Sequence, residues 1–188
     1  MKYQNSDYTV LVNYHQKYNP ADYLNFEYMK IMNTDGKTIC VEKKTYEQFT
    51  RLKEHMQKLG ITIGIVQALR NEEEQKNIYI NFCDKYGKDY SDKVVAPVGE
   101  SEHHTGLSLD IEIYQKGKWI SNNDNFEIAE PVLKTVHPYL SKYGFILRYP
   151  KGKEKITHIV YEPWHIRYVG EELASYLENN DLTLDEYK

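Results

Sequence analysis

Apolar positions change their period several times along the chain, and each change marks an element. Tyr46, Phe49, Leu52, Met56 and Leu59 keep helical spacing, which predicts a helix opened by a Thr45/Gln48 capping-box pattern and closed by Gly60. Residues 61–66 are short and β-branched and predict a strand. Asn71 with Glu74 forms a second cap, followed by an acidic first turn, so a helix is expected to about Tyr86. Leu107, Leu109, Ile111 and Ile113 alternate with Ser108, Asp110 and Glu112, which predicts a strand with one buried and one polar face. A helix is expected over 127–143, bent or divided at Pro138 and capped by Gly144. Residues 145–149, 157–161 and 164–169 read as strands, with Gly152 as a hairpin signal between the first two. A terminal helix over 170–179 and a short turn over 183–188 complete the pattern. Residues 1–40 have weaker periodicity, with a strand-like 8–12 and a turn at Asp35-Gly36. Helices gathered early and antiparallel strands later predict an α+β domain, with helices packed on an antiparallel sheet that carries the functional site.

Nothing divides the 188 residues: no repeat, low-complexity tract or Pro/Gly linker occurs. The expectation is one domain over 1–188, with 1–40 as an extension packed on the core and 60–170 bearing the motifs. An apolar content of 40% excludes a mostly disordered chain, and no apolar run long enough for a membrane span is present. A net charge of −4 argues against nucleic acid as a partner. The first residues show no basic segment followed by an apolar stretch, so a cytoplasmic location is expected. Cys40 and Cys83 are the only cysteines, fitting two free thiols rather than a disulfide framework or a Cys-based zinc site.

Two segments concentrate chemistry: 101–110, reading Ser-Glu-His-His-Thr-Gly-Leu-Ser-Leu-Asp, and 162–165, reading Glu-Pro-Trp-His. Hydrolytic zinc commonly takes three protein ligands from His and Asp/Glu and leaves one position for water. His103 or His104, Asp110 and His165 supply such a set, and spacing alone leaves both histidines open. His103 and Asp110 are seven positions apart, an odd interval that a straight strand places on opposite faces, so Gly106 is expected to turn the chain between them. Pro163 forbids a regular helix and predicts a kinked strand entry that brings Glu162 and His165 toward one point. Glu162 is then placed as general base toward the water that zinc acidifies, and Trp164 as a wall of the pocket. Each segment alone is compatible with solvated or core side chains. Together they favour a metal site. His15, His55, His137 and His158 are expected to be ordinary surface or core residues.

These residues resemble the zinc D-Ala-D-Ala peptidase family, the group of VanX, VanY and LdcB. Its S-x-H-x-x-G-x-A-x-D motif corresponds to 101–110, with Ser108 where Ala is usual, and its E-x-W-H motif corresponds to 162–165. The likeness continues through 143–150 and 167–170 and covers roughly 60–170. It implies zinc held by His103, Asp110 and His165, with Glu162 as the base. It further implies that Arg70 stabilises an oxyanion, and that Gln75 and Ser101 help hold the end of the substrate. Ala68-Leu69 stand before Arg70 where the family has Gly-Tyr, while His104 replaces a common Gln and His158 a frequent Gly.

Family members act on the D-Ala end of peptidoglycan stem peptides or on D-Ala-D-Ala itself. The resemblance is nearest to the VanXY type, which implies a cytoplasmic D,D-dipeptidase/D,D-carboxypeptidase contributing to vancomycin resistance. An L,D-carboxypeptidase trimming tetrapeptides would share every zinc residue and differ in the loops at 94–100 and 152–157. A non-catalytic module binding wall peptides is a third alternative, which an intact Glu162 argues against.

Overall fold

The computed structural model describes residues 7–120 and 126–187. Two antiparallel strands, β1 (Tyr28–Met32) and β2 (Thr38–Glu42), form a hairpin and lead into helix α1 (Lys43–Lys58). Strand β3 (Ile63–Gln67), helix α2 (Glu72–Tyr86) and the single-turn helix α3 (Lys88–Ser91) follow. A 3-10 turn at Glu102–Thr105 then precedes β4 (Ser108–Gln115) and β5 (Lys118–Ile120). The second half runs through α4 (Phe126–Val136), β6 (Phe145–Leu147), α5 (Glu154–Thr157), β7 (His165–Tyr168) and α6 (Glu171–Asn179). The main sheet is antiparallel throughout, in the order β3-β4-β7-β6, with β5 paired beside β4. The α+β class with an antiparallel sheet and packed helices is therefore as expected.

The alternation over 107–113 explains why β4 is central. Leu109, Ile111 and Ile113 are fully buried in one cluster with Phe49, Leu52 and Met56 of α1 and Leu133 and Val136 of α4. Burying side chains of this size stabilises by about 1.5–3 kcal/mol each, which fixes the strand register and with it the opposite face. That face carries Ser108, Asp110 and Glu112. It is not solvated, as a simple alternation suggests, because Ser108 and Glu112 are buried and Asp110 is half-buried.

Several local expectations are corrected. Residues 8–12 form no strand: Asp7–Thr9 is a 3-10 turn, and the Tyr8 and Val10 carbonyls accept from Arg167 Nη2 instead of a ladder. α1 begins at Lys43, capped by Glu42 rather than Thr45; the Glu42 carboxylate accepts from Lys44 N, Thr45 N and Thr45 Oγ1. The helix expected over 127–143 is divided as Pro138 predicts: α4 ends at Val136, since Pro138 cannot donate, and 3-10 turns carry the chain to Gly144. Residues 157–161 are not a strand: α5 ends at Thr157, His158 takes a left-handed φ of 61°, and β6 pairs directly with β7. The turn expected over 183–188 is present at Leu184–Glu186, and Lys188 lies outside the described residues, as do residues 1–6 of the expected extension. β1, β2 and β5 were not expected; β1 buries only Ile31, too little for a readable alternation. Among the described residues no helix is long and apolar enough to cross a membrane.

Candidate active site

Three local devices bring the two sequence motifs together. Ser101 Oγ accepts from His103 N at 3.3 Å and opens the 3-10 turn. Gly106 follows with a left-handed φ of 70°, and a Cβ there would lie 2.8 Å from the Tyr28 ring, so only glycine fits the turn. Past it, Asp110 of β4 stands directly across from His165 of β7. The odd interval between His103 and Asp110 is thus reversed by Gly106, and cross-strand pairing adds the third side chain.

His103, Asp110 and His165 each offer a ligand atom within 4.8 Å of the others. His103 Nε2 lies 3.2 Å from Asp110 Oδ2, and His165 Nδ1 lies 3.2 Å from Asp110 Oδ1. His103 Nδ1 donates to the Ala68 carbonyl at 2.7 Å, since a carbonyl only accepts, and this turns Nε2 toward Asp110 and the cluster. Asp110 Oδ1 is buried without a hydrogen bond. Two imidazoles and one carboxylate, with a ring nitrogen of each histidine and an unsatisfied Asp110 oxygen facing inward, form a donor set suited to zinc.

His104 is not part of it. Its Nδ1 donates to Arg70 O at 2.8 Å and its Nε2 accepts from Gly99 N at 3.1 Å, so both ring nitrogens are committed. These backbone bonds turn His104 away from the cluster and leave His103 as the histidine of this segment that faces Asp110.

Glu162 enters from the kinked approach to β7, with His165 N donating to its carbonyl and its Oε2 standing 3.4 Å from His165 Nδ1. Burial, reinforced by Asp110 and opposed by Arg70, raises its carboxyl well above the ordinary 4.5. Asp110 behaves in the opposite way: burial works against its charge, yet His103 and His165 hold it well below the usual carboxylate range. Burial and the neighbouring charges thus push the two adjacent carboxyls in opposite directions.

Arg70 lies 3.8 Å from Asp110 Oδ2 and donates to Gln75 Oε1 at 2.9 Å; it forms no ion pair with Glu72, Glu73 or Glu74. Gln75 is almost fully buried and its Nε2 donates to Ala96 O at 2.5 Å. Ser101, Trp164, Arg70 and Gln75 all line the same cleft, whose volume is about 580 Å³. The loop at 94–96 also lines it, whereas Thr157 faces a smaller neighbouring cavity and Gly152 lines neither.

Glu102 was missed in the sequence. Its Oε1 accepts from Arg148 Nε at 2.7 Å and Arg167 Nη1 at 2.9 Å, and all three side chains are fully buried. Burial opposes its charge, but the two guanidiniums and His165 keep the carboxyl ionised. The available signal was compositional: an acid inside the first motif and two arginines in the segments flanking the second.

Comparison with known proteins places the chain in a family. Residues 38–171 match the family model described as VanY, D-alanyl-D-alanine carboxypeptidase. The chain is 38% identical over 152 residues to the putative carboxypeptidase YodJ of Bacillus subtilis (strain 168), covering 78% of this chain and 53% of that relative. It is 34% identical over 125 residues to the bifunctional D-Ala-D-Ala dipeptidase and D-Ala-D-Ala carboxypeptidase VanXYC of Enterococcus gallinarum, covering 66% and 65%. The solved structure of the LdcB LD-carboxypeptidase superposes with a TM-score of 0.70 at 34% identity, over 99% of this chain and 78% of that one. The chain spans about half the length of the YodJ relative. The motifs, the antiparallel sheet that joins them and the match over most of the chain agree: this protein belongs to the VanY D-alanyl-D-alanine carboxypeptidase family.

Proposed function

We propose that the chain is a zinc-dependent D,D-peptidase that hydrolyses D-Ala-D-Ala dipeptide, removes the terminal D-Ala from peptidoglycan pentapeptide precursors, or both, and so contributes to vancomycin resistance. The observation that carries it is the convergence of His103 Nε2, the Asp110 carboxylate and His165 Nδ1, with Glu162 beside them on one cleft. Zinc held by these three side chains supplies Lewis acidity, bringing a water near neutral pKa and polarising a carbonyl. Glu162 takes the proton of the attacking water and returns it to the leaving amine; its raised affinity for a proton suits both halves of that transfer. Arg70 presents a fixed cation to the oxyanion that develops on the scissile carbonyl. Gln75 accepts from Arg70 and donates to Ala96 O, which holds Arg70 in place, and it lines the cleft where the end of the substrate would lie. Ser101 faces the cleft to hold the end of the substrate, and Trp164 forms a wall.

Zinc-loaded protein incubated separately with D-Ala-D-Ala, a stem pentapeptide and a stem tetrapeptide tests this, with released D-alanine as the readout. Release from the dipeptide or pentapeptide is expected, falling by about 10²–10⁴ in Glu162→Ala with zinc content unchanged. Cleavage of the tetrapeptide alone would establish the L,D-carboxypeptidase alternative, which the likeness to LdcB favours. Peptide binding without release from any of the three would leave a binding module. The free thiols of Cys40 and Cys83 support a cytoplasmic site of action, which cell fractionation tests.

A further inference from the structure

Two buried atoms beside the ligand cluster have no partner. His165 Nε2 and Glu102 Oε2 are both sealed from solvent, neither makes a hydrogen bond, and they stand 3.9 Å apart. Leaving a polar atom buried and unsatisfied is costly, so two such atoms facing one another mark a bond that a small closure completes. Glu102 Oε1 is already occupied by Arg148 and Arg167. That fixes the carboxylate plane and leaves Oε2 as the acceptor turned toward the imidazole.

We propose that Glu102 is a positioning residue whose Oε2 accepts the Nε2–H of His165, holding that ring in the tautomer whose Nδ1 lone pair faces Asp110 and the metal position. The proposal rests on His165 being a ligand. His103 is fixed from behind in the same manner, by Ala68 O on its Nδ1, so the two imidazoles present opposite nitrogens to one point. The carboxylate is itself anchored from both ends of the described chain. Arg148 also pairs with Asp185 near the C-terminus, and Arg167 Nη2 donates to Tyr8 O and Val10 O near the N-terminus. A buried ionic network costs desolvation that an apolar cluster would avoid, and a fixed acceptor behind a ligand gives it a use.

Glu102→Gln is the informative change because it keeps the shape and reverses one polarity. The two arginines hold the amide oxygen, so the amide nitrogen, a donor, faces His165 Nε2 and favours the tautomer protonated at Nδ1, which cannot ligate. Zinc affinity by chelator competition is expected to fall by about 10–100-fold. In the zinc-free variant, ring nitrogen NMR is expected to show the His165 proton moved from Nε2 to Nδ1. Asp185→Asn loosens the same arginine network without facing His165, so it should lower the melting temperature and leave zinc affinity unchanged. Wild-type affinity and tautomer in Glu102→Gln, or an equal zinc loss in Asp185→Asn, would overturn the proposal. His165→Ala separates the two levels: zinc retained there means the ligand assignment itself has failed. If Glu102→Gln does not fold, the NMR measurement on zinc-free wild type still decides, because a neutral His165 protonated at Nδ1 contradicts the proposal.

Discussion

Gly106 is where the chain reverses between His103 and Asp110, and replacing it should cost in two separable ways. Its φ of 70° is left-handed, which costs an alanine about 1–2 kcal/mol. The space for a Cβ is also taken, with Tyr28 Cε1 at 2.8 Å and both Glu42 N and Leu69 Cδ1 at 3.3 Å. The Tyr28 ring does not swing away freely, since its hydroxyl donates to Thr105 O at 3.0 Å. Overpacking of this kind costs about 1–3 kcal/mol more. Gly117, in the β4–β5 turn, has a similar φ of 82° but nothing within 4 Å of a built Cβ, so Gly117→Ala carries only the first cost. At about 2–4 °C per kcal/mol for a chain of this size, the expected loss of Tm is about 4–20 °C for Gly106→Ala and about 2–8 °C for Gly117→Ala. Calorimetry on the two variants measures the difference, and zinc affinity should fall only in Gly106→Ala. Equal losses would refute the claim that close backbone packing at Gly106 shapes the site.

Three further outcomes follow from the same geometry. In the zinc-free protein Glu162 binds its proton more tightly folded than unfolded, so its contribution to stability is fullest below its ordinary 4.5 and is lost as pH rises toward the raised value. Zinc-free Glu162→Gln should therefore gain in Tm over wild type as pH is raised from about 4 to about 7, and a pH-independent difference contradicts this. His104→Ala leaves Arg70 O and Gly99 N without their partner and should cost about 1–3 kcal/mol in denaturant unfolding while one zinc per chain is kept; zinc loss would remove His103 from its assigned place. Arg167→Met strips a guanidinium from buried Glu102 and from two N-terminal carbonyls, and should cost about 3–5 kcal/mol with early proteolysis in residues 7–26; a cost below about 1 kcal/mol contradicts the ionic anchoring.

Much of the site was legible because its parts follow local rules. Gly106, Pro163 and the alternation over 107–113 are short-range signals, and each names a turn, a kink or a buried face before any tertiary contact is known. The capping box at Asn71 and Glu74 was readable for the same reason, both halves being present within one turn. What escaped depends on contacts between distant segments. Residues 8–12 look like a strand, but their carbonyls go to Arg167, more than 150 positions away. Glu42 caps α1 from the end of β2, and no period marks a strand's last residue as a cap. The choice between His103 and His104 turns on the carbonyls of Ala68 and Arg70, over thirty positions upstream and invisible to spacing. Glu102 stood inside the motif, yet its role needs Arg148 and Arg167 folded onto it.

Anomalous diffraction at the zinc edge, on crystals grown with zinc, tests the central claim most directly. One peak per chain is expected, about 2.0–2.2 Å from His103 Nε2, an Asp110 carboxylate oxygen and His165 Nδ1. A peak elsewhere, or none at these three side chains, would contradict the account.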